Sequence, residues 1–204
     1  MAANKLSKFA EVDYNANAYK GKYKPSHPRK IPDDRIIVET WSEISNPGWR
    51  WVIAMMSTYG LRNHEVFSLD LDVLPSAYCV VQVLAGKTGH RQVWPFHPEW
   101  VERFDLVNVT LPKVDVNRPN AAVGHSVTEY FAGIDCPFAP YDLRHAYAVR
   151  TLTYQIDPSI AARFMGHSRE VHEEVYRYWI DRATLQREFD RALNRSDRPR
   201  PPAI

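Results

Sequence analysis

Only one stretch of this chain reads as β structure. Across residues 78–96 the segments "YCVVQVLAG" and "RQVWPF" flank the loop "KTGH", two β-rich runs joined by a glycine-containing turn. Elsewhere the signals are helical or belong to polar, proline-rich connections. A chain with one hairpin among helices is expected to be mainly α with a small antiparallel β-sheet, an α+β arrangement.

The helical signals are local and specific. Asp33 or Asp34 is placed to cap a helix whose apolar positions include Ile36, Ile37, Trp41 and Ile44. "NPGWRWVIAMMSTYG" predicts a second helix, with Pro47 in its first turn and Gly60 just past its end. "RNHEVFSL" reads as a short third helix, and "AAVGHSVTEYFAGI" returns to helical spacing. From residue 140 onward the pattern is helical, broken at Pro158 and Gly166. Leu185, Phe189 and Leu193 recur every four residues and form a narrow apolar stripe, read from its spacing as core.

Size and composition bound the rest. The 204 residues, 45% hydrophobic, suffice for one domain with extended ends. No opening run has signal-peptide character, and no segment approaches the ~18–20 apolar residues needed to cross a bilayer. Cys79 and Cys136 are far apart and imply neither a disulfide framework nor a zinc knuckle. The expected location is the cytoplasm. Residues 1–30 hold seven Lys/Arg against two acidic residues, so +5, whereas the remainder holds 19 basic and 22 acidic, so −3. That distribution predicts a basic arm or interdomain linker over 1–30, a folded domain over 31–181, and a C-terminal helix with a Pro/Arg-rich tail over 182–204. A basic arm can track phosphates, although a solvated leader has the same composition.

Two familiar motifs fail on inspection. "GKT" at 86–88 lacks the glycine a phosphate-binding loop needs at position 81, which is Val81, and it runs into a strand rather than a helix. "HEEVY" places Tyr176 where a zinc-protease helix needs its second histidine. The histidines are scattered without ligand-type spacing, so a structural metal is not expected.

Three pairings and one lone lysine remain. Arg62 leaves the helix-ending Gly60, with Glu65 one helical turn later. Lys87 sits at the hairpin tip. Tyr141 and Arg144 are one turn apart in "YDLRHAYAVR", and His167 follows Gly166 with Tyr176 nine residues on. Singly, each has an ordinary explanation: an ion pair, an exposed lysine, a core tyrosine beside a surface arginine.

Together and in this order they resemble the catalytic domain of the tyrosine recombinases, the phage-integrase family, from about Pro32 to Trp179. "YGLRNHEVFSLDLDV" is similar to the family's first arginine box and "KTGHRQVWPF" to its lysine hairpin. "YDLRHAYAVR" is similar to the second arginine box, and "MGHSREVHEEVY" to the third box with its nucleophile. The resemblance implies a metal-independent, cofactor-free enzyme that breaks and rejoins double-stranded DNA through a 3′-phosphotyrosyl link. It implies Tyr176 as nucleophile and Arg62 and Arg144 as ligands of the non-bridging oxygens. Lys87 becomes the acid for the leaving 5′-oxygen, His167 a phosphate hydrogen-bonder and Glu65 an orienting group, with Tyr178 a packing residue. One position departs: the family usually has His where Tyr141 stands, and a phenol of pKa near ~10 is a poor base. The family generally carries an N-terminal DNA-clamping domain ahead of this region, so the sequence is expected to be a fragment cut at the interdomain linker, with a minimal protein as the alternative. The C-terminal stripe is the expected contact for a homo-oligomer on DNA. The alternatives are a catalytically silent DNA-binding module of the same fold and a topoisomerase-like nicking-closing activity.

Overall fold

The computed structural model describes residues 9–10, 31–72, 74–76, 78–84, 89–176 and 182–197. Helix α1 (Asp34–Glu43) opens the domain, and the Asp33 side chain accepts from the Ile36 amide (2.9 Å) as its N-cap. Asp34 does something else: its carboxylate accepts from Arg150 Nε (2.9 Å), while its other oxygen meets His97 Nε2 (2.7 Å), fastening α1 to a later helix.

Helix α2 (Pro47–Tyr59) is the axis of the domain. Asn46 caps it by accepting from the Trp49 amide (3.1 Å), and Pro47 supplies a first-turn residue that has no amide to satisfy. Every residue from Trp51 to Tyr59 is buried, as expected of a helix apolar on all sides and surrounded by others. It ends at Gly60, whose left-handed backbone (φ 61°) closes the helix. A Cβ on Gly60 would stand 2.5 Å from the Tyr147 ring, so glycine also leaves room for that ring.

The chain then makes a 3₁₀ turn (Glu65–Phe67), shorter than the helix read from "RNHEVFSL", before strand β1 (Leu69–Asp70). The hairpin forms as expected from β2 (Val81–Val83) and β3 (Arg91–Val93), with β1 adding a third antiparallel strand in the order β1-β2-β3. In register, Val81 faces Val93 and Val83 faces Arg91. Val81, Val83 and Val93 are buried while Gln92 is exposed, the alternation of a sheet with one wet face. Short α3 (Glu99–Arg103) and α4 (Asn120–Gly133) follow. Helix α5 (Pro140–Thr153) packs along α2; α6 (Pro158–Met165), α7 (Arg169–Tyr176) and α8 (Arg182–Leu193) complete the order. On α8, Leu185 (60%), Phe189 (58%) and Leu193 (45%) are exposed, so the stripe is not core. Among the described residues no helix is long and apolar enough to cross a membrane.

Candidate active site

The site is organised around one carboxylate. Glu65 is fully buried and opens the 3₁₀ turn that follows the Gly60 reversal. Its Oε1 accepts from Arg62 Nη1 (2.6 Å) and Arg91 Nη1 (2.9 Å), and its Oε2 accepts from the Arg62 amide (2.8 Å) and Arg91 Nη2 (2.7 Å). Arg144 Nη1 lies 3.9 Å from Oε2. Burial alone would raise the Glu65 pKa. The Arg91 hydrogen bonds and charge, the Arg144 charge and the Arg62 amide outweigh it and hold the carboxyl at about 2.

The arginines also close the ends of two helices. Arg144 donates through Nη1 to the Gly60 carbonyl (2.7 Å) and through Nη2 to that of Met165. Arg62 Nη2 donates to the Gly166 carbonyl (2.9 Å). Both helix ends finish in a left-handed glycine, Gly60 and Gly166, and carry the negative end of a helix dipole. Guanidinium groups complement those ends. Burial works against the Arg144 charge, as does Arg62 beside it, and the Glu65 carboxylate opposes both. The Arg144 side chain is 1% exposed and that of Arg62 17%, so Arg62 presents the more accessible cation.

His167 follows the Gly166 reversal. Its ring stacks on His172 (centroids 5.3 Å apart), and its Nδ1 lies 3.1 Å from the Ser168 carbonyl. A carbonyl only accepts, so Nδ1 carries the proton and Nε2 is the acceptor nitrogen of the neutral ring. Burial, with the charges of Arg144 and Arg62 and the neighbouring His172, lowers the His167 pKa to about 4 despite the Ser168 carbonyl. Its ordinary value is 6.5. Between those values the folded chain binds fewer protons than the unfolded one, so stability is intact above pH 6.5 and declines as pH falls toward 4. His172 shifts the same way by burial. Replacing His167 with Asn should flatten the dependence of Tm on pH across this window; an unchanged slope would contradict the assignment.

The structure therefore brings Arg62, Glu65, Arg144 and the turn bearing His167 together. Tyr141, one turn before Arg144, is 42% exposed with its ring edge-on to His145 (5.1 Å). Tyr176 ends α7, its side chain outside the described residues, as are Lys87 and Tyr178. Arg91 was not among the expected site residues. It follows the hairpin tip, where an arginine ordinarily reads as exposed. The available signal is strand alternation, which puts Arg91 on the same face as buried Val93. Beside the arginines an open cleft of about 590 Å³ runs between sheet and α6, lined by His90, Gln92, Trp94, Arg163 and His167. Among the described residues no three His, Cys, Asp or Glu side chains converge as metal ligands would.

No family model matches the chain. Excisase A of Nostoc sp. (strain PCC 7120 / SAG 25.82 / UTEX 2576) is 31% identical over 169 residues, covering 72% of this chain and 34% of that protein. Tyrosine recombinase XerD of Lacticaseibacillus casei is 30% identical over 146 residues, covering 62% of this chain and 49% of that protein. The chain belongs to the tyrosine recombinases. It spans between a third and a half of the length of these curated relatives. Its fold is that of the recombinase catalytic domain. The XerA recombinase crystal structure superposes with a TM-score of 0.56 at 19% identity, over 98% of this chain and 74% of that one. The Tn1549 transposon integrase, in complex with transposon right end DNA, gives 0.56 at 14% identity, over 93% and 75%.

Proposed function

We propose that this chain cleaves and rejoins double-stranded DNA site-specifically, through a covalent link to Tyr176. The observation that carries this reading is the buried Glu65 carboxylate holding Arg62 beside Arg144 and the His167 turn, a rigid cationic site on the fold of DNA-rejoining enzymes. In the forward step the Tyr176 oxygen bonds to phosphorus, and the bond to the 5′-oxygen breaks. That oxygen leaves with the electron pair and takes a proton from Lys87. Arg62 and Arg144 face the extra negative charge of the pentacoordinate state, where preorganised donors act more strongly than water. The phosphodiester energy is kept in the tyrosyl ester, so religation needs no further energy source.

His167 supplies the acceptor for the nucleophile's proton. Its Nε2 takes the Tyr176 proton as attack proceeds, and the resulting imidazolium hydrogen-bonds the phosphate. The negative phosphate favours that charged form. On DNA in the cytoplasm, the exposed α8 stripe of Leu185, Phe189 and Leu193 docks a second copy of the chain.

The test is covalent capture. A nicked duplex, recovered from a randomised pool by its ability to form a denaturant-resistant adduct, is expected to give a protein–DNA band with the wild type. The band should persist in Tyr178→Phe and vanish in Tyr176→Phe. DNA binding with no band from the wild type would identify a silent binding module. Supercoil relaxation without recombinant products would identify a nicking-closing enzyme.

A further inference from the structure

Arg91 is the least explained charge in the domain. It lies at the start of β3, its side chain is 7% exposed, and three of its donors are engaged: two on the Glu65 carboxylate and Nε on the Phe164 carbonyl (2.8 Å). A guanidinium buried this way does not serve solubility. Its planar fork matches the carboxylate, and its third edge meets α6 three residues before His167. One side chain thus joins the sheet, the arginine turn and the segment leading into the histidine turn.

Its place in the hairpin gives that junction a consequence. Arg91 faces Val83 across the ladder, so these two residues form the base of the loop 84–90, which contains Lys87. Lys87 lies four positions before Arg91, a reach of at most roughly 14 Å for an extended chain. The Glu65 oxygen that accepts from Arg91 also accepts from Arg62. The base of the lysine loop is therefore referenced, through a single carboxylate, to the arginine that meets the phosphate.

We infer that Arg91 is a positioning residue that sets the lysine hairpin in register with the phosphate-binding arginines, so that Lys87 reaches the leaving 5′-oxygen. This rests on the reading of Lys87 as the acid. Loss of Arg91 should impair leaving-group protonation far more than DNA binding.

A substrate that needs no such proton separates the roles. With sulfur in place of the bridging 5′-oxygen, the P–S bond breaks and the thiolate leaves with its electron pair. A thiol pKa of ~8.5 makes that anion stable near neutral pH. Single-turnover adduct formation would be measured on oxygen and sulfur versions of the captured duplex. Arg91→Met should slow the oxygen substrate by about 100-fold and the sulfur substrate by less than about tenfold. DNA affinity should change little, and Lys87→Ala should show the same selective recovery. Recovery of Lys87→Ala alone, with Arg91→Met equally slow on both substrates, would overturn the inference and leave the Lys87 reading standing. Recovery of neither would overturn the Lys87 reading and the inference with it. Wild-type rates for Arg91→Met on oxygen would also overturn it. Arg91→Lys, which keeps the charge on Glu65 but loses the fork and the Phe164 contact, carries the same comparison should Arg91→Met not fold.

Discussion

Replacing Glu65 with alanine is expected to cost about 3–5 kcal/mol of folding stability, the penalty for removing one partner from a buried ionic cluster. Arg62 and Arg91 lie within 2.7 Å of its oxygens and Arg144 within 3.9 Å. Without the carboxylate these guanidinium groups repel one another in a space that excludes water. Native domains hold only ~5–15 kcal/mol in total, so the loss is a substantial share of it and should lower the midpoint of urea unfolding by about 1–5 M, at an m of ~1–3 kcal/mol/M. Glu65→Gln keeps much of the shape and one acceptor but removes the charge, and should retain part of the stability. Adding Arg91→Met to Glu65→Gln should destabilise less than the sum of the single changes, because it removes one of the stranded cations. Additive effects in that cycle, or a loss under about 1 kcal/mol for Glu65→Ala, would mean that the carboxylate is not the organiser. The same carboxylate sets an acid limit. Its pKa of about 2 lies below the ordinary 4.5, so its contribution is complete above pH 4.5 and disappears as pH falls through 2.

What the sequence made legible follows from how far each partner lies along the chain. Arg62 and Glu65 are three residues apart, and the helix-ending Gly60 marks where their turn begins, so their pairing was readable. Arg91 meets the same carboxylate across 26 residues, and nothing in "GHRQV" announces an acidic partner. The hairpin was legible from its β-rich arms, whereas β1 contributes only Leu69–Asp70, too short for alternation to register. Periodicity identified the α8 stripe but not its environment. A four-residue repeat of apolar side chains is the same pattern whether it meets a core or solvent, and here Leu185, Phe189 and Leu193 meet solvent. Asp33 and Asp34 are equivalent as caps in sequence; the tertiary partners Arg150 and His97 distinguish them. Identifying the functional boxes needed residue order and family resemblance, since each pair alone has an ordinary structural explanation.

Arg144→Lys is expected to lower the rate of covalent adduct formation by about 10²–10³, the usual cost of losing a preorganised donor to a developing oxyanion. The guanidinium anchors itself on the carbonyls of Gly60 and Met165, and this fixes the direction of its other N–H groups before DNA arrives. Lysine keeps the charge, but one ammonium on a flexible stem cannot bridge both helix ends and also address a phosphate. One carbonyl would then lose its donor in a buried setting, adding about 1–3 kcal/mol of instability. The two effects are separable. Adduct formation measured well below the variant's own Tm reports the chemistry, while duplex affinity across a salt series reports the charge, which lysine retains. A slow adduct with a preserved salt slope would assign Arg144 to the transition state. Parallel loss of affinity and rate would reduce it to a docking charge. A rate within about threefold of wild type would leave Arg144 as a helix-end clamp and make Arg62, the more exposed of the two, the principal ligand of the phosphate.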